Sequence, residues 1–220
     1  MNQSDSSLDN KSPMIHPHFE SLVQRIIQSV EKDRLASLRR DFHTRLRITL
    51  TQPDNAQLIE DLWDFFYDWC VFEQRLLESI TSLGPQEQHI WLSVKDGSMR
   101  GLYNVVKMSD SEMKLKELYS GETFSVRKKQ SGDFLGIEKG DILEGRIVPE
   151  KEGTFSFVRR PSFHPTEVHG YIKKKVKQFK KMKDFNTYQN WLWLLVGMYL
   201  KHRIYNHMPI EKIYDDNSRI

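Results

Sequence analysis

Cysteine occurs once in 220 residues, at Cys70, and a single thiol can form neither an internal disulfide nor a cysteine-rich zinc centre. That usage fits a reducing, cytoplasmic setting. Long apolar runs are missing as well. The most apolar stretch, Trp191 to Leu200, is ten residues where a membrane-spanning helix needs roughly 20, so it reads as a buried helix and no membrane span is expected. Nor is there an excess of one charge. The formal net charge is +3 with 29% charged residues, a balance that selects no class of partner. The opening Met1-Asn-Gln-Ser-Asp-Ser-Ser lacks the apolar core of a secretory signal, and residues 1–15 are expected to form a disordered tail. No glycine-rich phosphate loop, nucleophile elbow or internal repeat is present, and no cofactor is implied.

What the chain does contain is a change of periodicity. Residues 16–95 read as helices, 101–160 as strands and 163–207 as helices again. Phe19, Val23, Ile26, Ile27 and Val30 recur at spacings of three and four. A second helix spans Asp33 to Leu46, with Leu35, Leu38 and Phe42 as its apolar stripe. A third, capped by Asp54, runs to about Leu77 and has an apolar face (Leu58, Leu62, Phe65, Phe66, Trp69, Phe72); from Asp54 to Glu78 there are seven acids against Arg75 alone. Those acids read as its water-facing side. A short helix over Gln86–Val94 follows Gly84-Pro85.

Alternation marks the strands. Met113 and Leu115 fall on one face and Lys114 and Lys116 on the other, and Phe124 and Val126 repeat the pattern after a turn at Tyr119-Ser-Gly-Glu122. Further strands are read over 102–108, 141–148 and 154–158. Five short strands predict an antiparallel sheet or small barrel, so the fold class is α+β, with two C-terminal helices packing back on the rest.

The charge absent overall is concentrated locally. A helix with Ile172, Val176, Phe179 and Met182 on one stripe carries seven lysines between Lys173 and Lys183. Clustered ammonium groups attract phosphates through counterion release, whereas a solvated face, or one neutralised by the acidic third helix, needs no ligand at all. Lys173, Lys174, Lys177, Lys180 and Lys181 are the candidate contacts for an anionic partner, protein or nucleic acid. Tyr103, Phe124, Phe155 and Phe157 would stack on bases if exposed, or fill the sheet core if not. The next helix is capped by Asn186 or Thr187 and ends near His202.

Three other patterns fail a spacing test. Asp96-Gly-Ser-Met-Arg-Gly101 matches half of the cyclic-dinucleotide-binding PilZ signature without its arginine pair. Gly140-Asp-Ile-Leu-Glu-Gly-Arg-Ile-Val148 looks like the opening strand of an RNA-binding ribosomal-protein barrel but arrives after three strands have passed. His164, Glu167 and His169 form a metal triad on paper, yet helical spacing turns Glu167 and His169 apart, so capping and surface roles are expected.

Leu62-Trp-Asp-Phe-Phe-Tyr-Asp-Trp69, Leu115-Lys-Glu-Leu-Tyr-Ser-Gly121, Gly140-Asp-Ile-Leu143 and Arg146-Ile-Val-Pro149 together resemble a group of uncharacterised bacterial proteins with a helical N-terminal part and a strand region. The resemblance covers about residues 17–170. Some of those relatives are associated with a zinc-binding SEC-C motif, which a chain with one cysteine cannot form. The resemblance implies a cytosolic accessory protein and transfers no active site. The functional expectation is a non-enzymatic binding or adaptor protein. Its rivals are a nucleic-acid-binding protein using the lysine helix and strand aromatics, and a cyclic-dinucleotide or other small-ligand receptor.

Overall fold

A computed structural model describes residues 19–48, 56–76, 83–95, 97–128, 134–150 and 153–217. The expected N-terminal tail and the Asp54 cap lie outside these residues. Four N-terminal helices, α1 (Phe19–Ser29), α2 (Lys32–Leu46), α3 (Ala56–Asp68) and α4 (Pro85–Lys95), precede six strands. The strands are β1 (Met99–Met108), β2 (Glu112–Glu117), β3 (Thr123–Arg127), β4 (Ile142–Pro149), β5 (Phe155–Phe157) and β6 (Ser162–His164). A 3-10 turn (Thr166–Val168) leads into α5 (His169–Met182), α6 (Phe185–Ile204) and the single-turn α7 (Ile210–Ile213). The C-terminal helices are therefore three among the described residues, where the periodicity of the chain indicates two.

The sheet closes on itself. β1 pairs with β2 through its second half and with β4 through its first, helped by a bulge between Val105 and Lys107. β2 pairs with β3, β5 with β4, and β3 with β5, so five strands form a barrel in the order β1-β2-β3-β5-β4 and back to β1. β6 adds to the outer edge of β4. The expected sheet is thus corrected in two respects: a sixth strand is present, and the β3–β5 pair is parallel, so the sheet is mixed. A parallel pair joins strands distant in the chain, and alternation within each strand carries no sign of it. A small five-stranded barrel can host unrelated functions and assigns none on its own.

Alternation on the strands has two outcomes. Tyr103, Val105, Met113, Leu115, Phe124, Val126, Leu143, Ile147 and Phe157 are buried inside the barrel. On β2 the residues between them, Lys114 and Lys116, are exposed. On β4 they are not: every residue from Ile142 to Val148 is buried, because helices cover the outer side of that strand.

α6 is apolar nearly all round, as a helix enclosed on several sides must be. Trp193, Val196 and Leu200 join α1–α4 in one core, while Tyr188, Trp191, Leu192, Leu195 and Met198 join α5, α7 and the barrel wall in another. Gly197 sets its distance from α2. A Cβ there would lie 2.0 Å from the backbone oxygen of Leu46, closer than atoms can pack, so glycine is required by the crossing. The α6 N-cap is Asp184, whose carboxylate accepts from the Thr187 amide at 2.9 Å, correcting the expected Asn186 or Thr187.

Candidate anion-binding face and a buried arginine cluster

The exposed charge of α5 and the buried charge beneath α3 have to be considered together, since one decides whether the other is free. At 3.6 residues per turn, Lys173, Lys174, Lys177, Lys180 and Lys181 fall within about 120° of arc on the helix surface. All five are exposed, while Ile172, Val176 and Phe179 are buried on the opposite side. Met182, expected on the apolar stripe, is instead 60% exposed, because α5 ends there and Lys183 turns the chain in the left-handed conformation. Among the described residues, the α5 lysine that forms an ion pair is Lys175, with Asp216. Lys180 Nζ donates to the Leu118 carbonyl at 3.4 Å, which brings the C-terminal end of the lysine stripe to the end of β2.

Two acids of the third helix are held by arginines instead. Asp61 pairs with Arg203, and Asp68, only 4% exposed, lies between two arginines. Arg146 Nε donates to Asp68 Oδ1 at 2.8 Å, and Arg159 Nε stands 3.4 Å from Oδ2. Asp68 is therefore not on a water-facing side, contrary to the periodicity of the helix. A single π-helical turn (Trp69–Glu73) follows α3 and widens it. Glu73, at the end of that turn, accepts from Trp193 Nε1 at 2.6 Å and lies 3.4 Å from Arg100 Nη1.

Glu144 is at the centre of this cluster, with no exposed surface. It accepts from Arg100 Nε and Arg159 Nη2, both at 2.8 Å. Burial on its own would raise its pKa, but the two guanidinium groups outweigh burial and hold it at about 2. Each arginine also has an aromatic ring against it: Arg100 over Trp193 at 3.3 Å, Arg159 over Phe65 at 3.9 Å and Arg146 over Phe72 at 4.2 Å. The weakly hydrated guanidinium tolerates such enclosure where an ammonium would not. Three cations thus meet Asp68, Glu73 and Glu144, and the cluster ties α3 to the outer side of β1 and β4. Sequence reading missed it because strand polar residues ordinarily face water.

His164 and His169 are both buried, at 4% and 9% exposure, so the expectation of surface roles is corrected. His169 donates from Nε2 to the His164 carbonyl at 2.9 Å, and His164 Nδ1 shares a hydrogen bond with the Tyr214 hydroxyl at 3.2 Å. Burial lowers His164 to a pKa of about 4, with Glu144 opposing the shift and His169 adding to it. No group of three or more metal-ligating side chains occurs among the described residues. The half-signature at 96–101 is not arranged around a ligand: Arg100 is bound by carboxylates, Gly101 is buried against Glu117, and Asp96 lies outside the described residues.

The strand aromatics Tyr103, Phe124 and Phe157 are core, and Phe155 packs partly buried against them. Two other aromatics do reach the surface beside the lysines. Phe185, at the start of α6, is 52% exposed, and Tyr119, in the β2–β3 turn, is half-buried. Their rings meet edge to face at 5.3 Å, and Tyr119 stacks on Tyr188 at 4.7 Å. Tyr188 is fixed in turn by donating to Glu117 Oε1 at 2.8 Å. No helix among the described residues is long and apolar enough to cross a membrane. No family model, no curated protein and no solved structure matches this chain, so the assignment of a site rests on these residues alone.

Proposed function

We propose that this is a non-catalytic binding protein and that an anionic macromolecule docks on the lysine face of α5. The observation that carries this reading is the fate of the opposite charges. Asp61, Asp68, Glu73 and Glu144 are held by arginines, which leaves Lys173, Lys174, Lys177, Lys180 and Lys181 displayed together on one exposed stripe. An ammonium array of this kind gains affinity by displacing counterions from a polyanion. Support for a role without catalysis comes from His164 and Glu144, both displaced toward acid, which are enclosed in the core at 4% and 0% exposure and offer no route to a substrate.

The test is a salt titration of binding to heparin, polyglutamate and labelled duplex DNA, with the Lys173→Gln/Lys177→Gln/Lys181→Gln variant alongside. Binding that weakens steeply with salt is expected, and for duplex DNA the variant should lower the log–log slope by about 0.9 for each lysine that contacts a phosphate. Equal binding and equal slope in the variant would refute the reading.

A further inference from the structure

We infer that the anionic partner is a single-stranded nucleic acid, seated where the lysine stripe of α5 meets the β2–β3 turn, with Phe185 as its base-stacking platform; this inference rests on the reading above. Three observations converge on that junction. Lys180 Nζ touches the Leu118 carbonyl, so the basic surface of the helix reaches the barrel. On β2, Lys114 and Lys116 are exposed while Met113, Leu115 and Glu117 between and beside them are buried, so both side chains leave the outer side of the barrel from backbone positions about 7 Å apart along the strand. Positive charge therefore continues from helix to strand as a track suited to a linear polyanion.

The third observation selects bases over other anions. A phenylalanine 52% exposed costs solvation energy unless something covers it. This one is held in place by Tyr119 at 5.3 Å and Tyr188 at 6.1 Å. An exposed ring, fixed by its neighbours and flanked by lysines, is the arrangement on which unpaired bases stack. A duplex hides those faces, and an acidic polypeptide does not have them. Of the nearby acids, Glu117 is buried under the Tyr188 hydroxyl, while Asp184, which caps α6, and Glu122 on the turn are carboxylates at the surface that oppose an anion there.

Fluorescence anisotropy with labelled single-stranded DNA and RNA oligomers, and with a duplex of equal length, tests the inference on the full chain. Single strands should bind more tightly than the duplex at the same salt. Phe185→Ala should weaken them about fivefold to a hundredfold, the range that one base–aromatic stack supplies, with no change in salt slope. Phe185→Leu keeps an apolar group against Tyr119 and should weaken binding similarly, which separates stacking from folding. Lys114→Gln/Lys116→Gln should instead lower the single-strand slope by about 0.7 per contact made. If duplex or polyglutamate binds as well as single strands and Phe185→Leu binds like the parent protein, the inference fails. If the α5 triple variant still abolishes binding in that case, the broader reading survives. If the triple variant changes nothing, both fall.

Discussion

Glu144 has no exposed surface and two guanidinium partners at 2.8 Å, so it is the side chain whose loss leaves the most uncompensated charge. Breaking a buried pair from one side costs about 3–5 kcal/mol, and Glu144→Gln should lower the urea unfolding free energy by that amount. Because Arg159 loses its Glu144 partner in that variant and keeps only Asp68 at 3.4 Å, Glu144→Gln/Arg159→Met should cost less than the two single changes added together; strict additivity would mean the two groups do not interact. His164 sets a pH dependence of its own. Its pKa is about 4 in the fold against 6.5 ordinarily, so as pH falls below 6.5 the unfolded chain takes up the proton first. Its contribution is complete above that pH and declines by up to about 1.4 kcal/mol per unit down to about 4. Glu144, held at about 2 against 4.5, contributes above 4.5 and loses its effect between there and 2. His164→Asn should flatten the stability profile between 6.5 and 4 and leave the lower window intact.

Among the elements, α6 shows how far periodicity carries and where it stops. Its lack of a polar face announces burial, but nothing in the run from Trp191 to Leu200 says that it carries two stripes facing two separate cores. Gly197 is equally silent in sequence, since a lone glycine inside a helix has several possible reasons. Against Leu46 it has one. Gly197→Ala should destabilise the protein by about 3 kcal/mol or more, seen as a lowered midpoint in thermal melts; an unchanged melt would show that α2 and α6 are further apart. β4 teaches the same lesson from the other side. Its apolar positions mark a strand, yet Glu144 and Arg146 are as buried as Ile147, because neighbours from elsewhere in the chain supply both the cover and the countercharge.

For the molecule as a unit, the cores and the arginine cluster bind helices and barrel to each other. All five tryptophans, Trp63, Trp69, Trp91, Trp191 and Trp193, belong to helices or the π-helical turn. Their fluorescence therefore follows the helical layer, while far-UV circular dichroism follows both. Urea transitions from the two probes should coincide, as in a single cooperative unit; tryptophan fluorescence changing at lower urea would mean that the helices leave the barrel before it unfolds. The α5 lysines lie outside this framework. Their substitution should alter binding while leaving the unfolding midpoint within about 0.5 kcal/mol of the parent protein.

Local patterns were enough to place α1, α2, α4, the strands β1 to β5, the amphipathic α5 and α6, since helix and strand periodicity follow from backbone geometry at each residue. They also marked the lysine face, because exposure of a charged stripe opposite buried Ile172, Val176 and Phe179 is a property of one helix. Barrel closure through the parallel β3–β5 pair, the glycine crossing at Leu46, the enclosure of Asp68 and Glu144 by three arginines, and the placing of Phe185 against Tyr119 all join residues far apart in the chain. Such contacts depend on which surfaces meet once the elements pack, and a charged side chain carries the same local pattern whether water or a partner from another element solvates it.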